Sequence, residues 1–164
     1  MTAIKINTDE PVAEYIRGKY FNPDLQAVHF PANLDIYVFI YDLLKKRPID
    51  CPIDTGNLTL VLPDRREANY AGGKSPEQYN YLCARSAELL NQKMRTMMWA
   101  ELHDYLDEQK HINGVPYKDS VYMFMTKYGI ESISEDALWK NYQRWREKLR
   151  KRSKRGYNRK SANI

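Results

Sequence analysis

Residues 118–152 read KDSVYMFMTKYGIESISEDALWKNYQRWREKLRKR. From Lys118 to Tyr128 the spacing predicts a helix whose buried side carries Val121, Phe124, Met125 and Tyr128. Gly129 follows, where a helix end favours a residue that tolerates positive φ, and Ile130 is placed to plug a core. Ser132-Ile133-Ser134-Glu135 matches the S-x-x-E capping box. Glu135 and Asp136 suit the positive end of a helix dipole. The next helix therefore begins near Glu135 and runs past Arg150. Leu138, Tyr142, Trp145 and Leu149 recur on one face, and Lys140, Asn141, Arg144, Lys148 and Lys151 fall on the other.

The charge supports an outward-facing cationic side. Residues 138–164 hold eleven basic residues against one acid, Glu147, a net of +10. The whole chain carries +5, which leaves −5 for everything before Leu138. A polyanion is the natural partner of such a segment. The bland alternative is a solvated end that only aids solubility. Against it, the basic run begins inside an amphipathic helix and not after the fold has ended.

Outward from this stretch, a length of 164 residues suits one compact domain, or one domain with a small appendage. Met1 to Asp9 reads as a frayed end, and Glu10 to Tyr20 as a short helix stopped by Asn22-Pro23. Val28 to Phe30 reads as a short extended piece. Asn33 is placed to cap a helix to about Lys46 whose centre, Ile36 to Tyr41, is apolar all round. A buried strand fits Ile36 to Tyr41 as well; the polar continuation to Lys46 favours the helix. Asn57 to Leu62 is the best strand candidate. Asp64 to Lys74 reads as a mobile loop, and Ser75-Pro76-Glu77 as a helix start leading to about Leu82. The longest helix, about Ala84 to Gln109, carries Leu90, Met94, Met98, Leu102 and Tyr105 as a core stripe.

The fold expected is mainly α, with five or six helices and at most a small β element. Residues 1–115 are expected to form a helical body with a short β element, 116–152 a helix-turn-helix-like segment, and 153–164 a disordered basic tail. Cys51 and Cys83 fit no zinc or redox spacing and are expected to be free thiols in a reducing cytosol. No signal peptide or bilayer-spanning run is visible, so a cytoplasmic protein of the bacterial cytosol or nucleoid is expected, without membrane partners.

The pattern of helix, Gly-Ile, turn and basic amphipathic helix over Lys118 to Arg152 resembles the helix-turn-helix of bacterial and phage DNA-binding proteins. Its connection, Gly129 to Ser134, is longer than the usual tight turn. The phrases Ile133-Ser134-Glu135-Asp136-Ala137-Leu138-Trp139-Lys140-Asn141-Tyr142 and Leu62-Pro63-Asp64-Arg65-Arg66 also resemble small proteins of phages and integrated mobile elements of gut Bacteroidetes. These resemblances imply a regulatory or accessory role on duplex DNA. Helix-turn-helix proteins often pair to read two half-sites, so they imply a homodimer too, although no heptad seam shows how one would form.

On this reading Asn141 and Arg144 contact bases, since Asn pairs bidentately with adenine and Arg with guanine. Lys140, Lys148, Arg150, Lys151, Arg152, Lys154 and Arg155 hold phosphates. One rival is a protein-interaction module whose tail binds nucleic acid, RNA included, without sequence preference. The other is a metal-dependent nuclease, from Pro63-Asp64 and Glu108-Gln109-Lys110, a motif that needs its second part on a strand. His103, Asp107 and His111 match no established metal spacing, and His103 with Asp107 reads as a surface pair. No nucleotide-binding glycine pattern or nucleophile elbow is present. The expectation is a non-enzymatic protein with no cofactor and no metal.

Overall fold

A computed structural model describes residues 2–64 and 73–160, with side chains described as far as residue 153. Among the described residues the order is β1 (Ala3–Ile6), α1 (Glu10–Tyr20), β2 (Phe21–Asn22), β3 (Ala27–Val28), α2 (Asp35–Leu43), β4 (Leu58–Val61), α3 (Ala84–His111), α4 (Tyr117–Tyr128) and α5 (Glu135–Lys160). The mainly α expectation is overturned. Five helices accompany a four-stranded mixed sheet of order β1-β4-β3-β2. The chain divides into two compact units, residues 1–98 with 128–130, and residues 99–127 with 131–164.

The first unit is built on the sheet. The expected frayed end is in fact strand β1, antiparallel to β4 with Ile4 opposite Leu60 and Ile6 opposite Leu58. Ile4 and Ile6 alternate with exposed Ala3 and Lys5, so one face of the strand enters the core. β3 runs parallel to β4, and β2 returns antiparallel to β3. Asn22 makes that turn, its side-chain oxygen accepting from the backbone N–H of Asp24 and Leu25. Asn57 pins the segment after β1 by pairing with both backbone groups of Thr8, at 3.0 and 2.9 Å. Its amide also donates to Glu10, and this bond, followed by that from Arg17, holds the Glu10 carboxyl below its usual range.

Helix α1 has the expected bounds, with Pro11 in its first turn and Val12 and Ile16 buried. Gly18 lies against the backbone of Tyr128, closely enough that a Cβ there would sit 2.1 Å from the Tyr128 carbonyl oxygen. Tyr128 also meets the Tyr15 ring edge-on at 5.1 Å. Helix α2 is shorter than expected and one-sided: Ile36, Tyr37 and Ile40 are buried, whereas Val38 is exposed. It stops because Leu44 turns extended into the core and Lys45 pairs through both backbone groups with Tyr81. That pairing also limits the helix expected from Ser75 to one turn, closed by Tyr79 N–H donating to the Ser75 carbonyl at 2.8 Å. Most of the loop expected over Asp64 to Lys74 lies outside the described residues.

Helix α3 passes through both units. Leu90, Met94 and Met98 are buried in the first, and Leu102 and Leu106 in the second. The stripe ends on Leu106, while Tyr105 packs at its flank on Phe124 at 5.6 Å. Helix α4 buries Val121 and Phe124, and Gly129 follows at φ +65°, the left-handed conformation that ends helices. The cap of α5 is Ser134, two residues later than the capping box suggests. Its Oγ accepts from the Ala137 N–H at 3.2 Å, and its carbonyl from the Leu138 N–H. Helix α5 continues to Lys160, past the boundary at Arg152 that the sequence suggests between helix and tail.

A candidate nucleic-acid interface on helix α5

The second unit holds α5 by a row of rings. Leu138 and Tyr142 are buried. Trp145 stacks on His103 of α3 with centroids 4.5 Å apart and planes 18° apart. On the other side of Tyr142, Trp139 stacks at 5.7 Å and 26°, and Tyr117 of α4 lies 4.9 Å from Trp139 and 5.3 Å from Tyr142. Such offset contacts add to the apolar burial that seats the helix.

Polar groups run through the same seam. The Tyr142 hydroxyl donates to the Asp107 carboxylate, and Arg146 pairs with that carboxylate at 3.0 Å. Burial, then the bond to Asp107, pushes the Tyr142 phenol pKa up. The Tyr117 hydroxyl lies 3.4 Å from that of Tyr142. His103, 8% exposed, contacts Asn141 through Nε2 and Oδ1 at 2.7 Å. Burial lowers the His103 pKa, against the raising effect of Asn141 and of Asp104 and Asp107. His103 and Asp107 are thus parts of a helix seam and not a surface pair. Among the described residues no group of His, Cys, Asp and Glu is arranged to hold a metal ion.

The residues expected to meet DNA separate into three groups. Asn141, proposed for base contact, is half-buried and turned to His103. Lys140 is exposed but pairs with Asp136 at 2.7 Å, one turn earlier. Arg144, Lys148, Arg150, Lys151 and Arg152 are exposed, and among the described residues none has a carboxylate at ion-pair distance. The side chains of Lys154 and Arg155 lie outside the described residues. Every residue from Glu147 to Ser153 is exposed, including Leu149 at 42%, so this part of the helix contributes no buried side chain.

Along the aromatic row is a groove of about 270 Å³, lined by the rings of Tyr117, Trp139 and Tyr142 and by Gln143, Arg146, Glu147 and Arg150. Sequence reasoning missed both the groove and the Asp107 contacts. The available signal was the pairing of His103 and Asp107, four apart on one helix, with Asn141 and Tyr142-x-x-x-Arg146 on another.

Glu108-Gln109-Lys110 lies in the last turns of α3 and not on the strand that a nuclease motif requires, and the Lys110 ammonium sits over the Tyr117 ring at 5.4 Å. Both cysteines are free and half-buried. Among the described residues no helix is long and apolar enough to cross a membrane. No family model, curated protein or solved structure matches the chain.

Proposed function

We propose that the chain binds double-stranded DNA through the cationic side of α5. One observation carries this reading. Arg144, Lys148, Arg150, Lys151 and Arg152 are exposed without acidic partners among the described residues, whereas Arg146 of the same helix is neutralised by Asp107. The seam consumes Arg146, whereas these five face solvent. An α-helix with side chains is about 10–12 Å across and the B-DNA major groove is about 12 Å wide, so the exposed side of such a helix can enter it. With Asn141 held by His103, Arg144 is the side chain left for base edges, and the other cations serve the phosphates. Binding then rests mainly on backbone electrostatics.

RNA or a non-specific tail is the rival reading, and geometry separates them. The major groove of A-form RNA is too deep and narrow for side chains to read. Duplex DNA should therefore compete for the protein better than duplex RNA of equal length. Neutralising about six phosphates should give a log–log slope of affinity against salt near −5. Failure to retain duplex DNA at low ionic strength would overturn the proposal. Equal competition by duplex RNA would favour the rival.

A further inference from the structure

The groove flanking α5 borders the cationic side and shares Arg150 with it. Gln143, Arg146, Glu147 and Arg150 follow one another at helical spacing, and Trp139 and Tyr117 form its aromatic wall. Trp139 is in ring contact with both Tyr142 and Tyr117, and the three rings together line the same open space. At about 270 Å³ the space lies below the roughly 300–1,000 Å³ of drug-sized pockets, so it suits one small group and not an extended ligand.

Resting on the DNA-binding reading, we propose that this groove holds one unpaired nucleotide of the bound DNA, its base on Trp139 and its phosphate at Arg150. The chemistry of the lining fits that occupant. Every base has a π face that stacks on an aromatic side chain. The Glu147 carboxylate can only accept, and the Gln143 amide can both donate and accept, which suits a base edge bearing an exocyclic amino group. Arg150 is the cation of the lining without an acidic partner among the described residues, since Arg146 is taken by Asp107. A base stacked within an intact duplex cannot reach a wall of this kind. A bulged base can, because it has little pairing and stacking to lose. The substrate class is therefore duplex DNA interrupted by an unpaired nucleotide.

The test uses the full chain and two duplexes that differ by one unpaired 2-aminopurine. The bulged duplex should bind about tenfold tighter, the scale of one base–aromatic stack, and its 2-aminopurine fluorescence should be quenched on binding. Gln143→Trp, which fills the groove from an exposed position, should bring the affinity ratio close to one. Trp139→Phe should lower the ratio without emptying the aromatic row. Equal affinities with unchanged fluorescence would overturn the groove site while leaving duplex binding intact. Retention of neither duplex would overturn both readings.

Discussion

His103 and Asn141 are joined within the second unit by a 2.7 Å contact between the imidazole Nε2 and the amide oxygen. The ring nitrogen carries the hydrogen that the amide accepts, which makes Asn141 a support for a buried histidine and not a reader of bases. Asn141→Ala should therefore cost about 1–3 kcal/mol, the penalty for a buried donor without its partner. Urea unfolding measures this. Replacing both residues, as His103→Phe with Asn141→Leu, should recover part of the loss, and discrimination between DNA sequences should not change in either variant.

The same histidine makes stability depend on pH. Burial lowers its folded pKa below the ordinary 6.5, so the neutral ring is the form the fold accepts. Its contribution is complete above about 6.5 and is lost as pH falls below that value and through the folded pKa, because the unfolded chain takes up the proton first. Asp104 and Asp107 and the Asn141 amide oppose the shift but do not reverse it. Denaturant midpoints from pH 7.5 to 5 should fall more for the wild type than for His103→Phe.

Tyr142 and Arg146 converge on one carboxylate, so Asp107 is the more costly member to remove. Tyr142→Phe should cost about 1.5–3 kcal/mol, as for a hydrogen bond to a charged group. Asp107→Ala should cost more, because it strands the phenol and leaves the guanidinium without its counter-charge. Since the phenol pKa is raised, the Tyr142 contribution is full below about pH 10 and declines as pH rises beyond it. Chemical denaturation of both variants at neutral and alkaline pH provides the measurement.

Gly18→Ala tests a backbone contact. The added methyl would lie 2.1 Å from the Tyr128 carbonyl oxygen, where backbone must move, so a loss of about 1–3 kcal/mol is expected despite the better helix propensity of alanine. Gly114→Ala, at φ +68° with open space around it, should cost only the conformational strain of about 1–2 kcal/mol. Thermal melts of the pair separate crowding from strain.

What the sequence revealed depended on segment length. The α3 stripe and the bounds of α1 were legible because several turns repeat one spacing, and the end of α4 because Gly129-Ile130 marks it. The sheet was not legible. β2 and β3 have two residues each, and β1 has four at the chain start, too few for alternation to be distinctive. Asn141 was misplaced for a geometric reason. At about 100° per residue it lies about 60° from Leu138 and about 40° from Trp145, at the border of the buried face. The excess of cations was legible from charge alone, whereas which of them are paired, as Lys140 is with Asp136 and Arg146 with Asp107, needed the folded helices.

Strand β1 lies at the margin of the sheet, and Thr2 extends its pairing by accepting from Leu62. Removing the first seven residues would strip a shield from β4 and leave its backbone donors and acceptors open beside Leu58 and Leu60. An unshielded strand of that kind recruits strands from other molecules. A chain without β1 would thus expose the apolar strand β4 as an edge and self-associate more readily than one that keeps it.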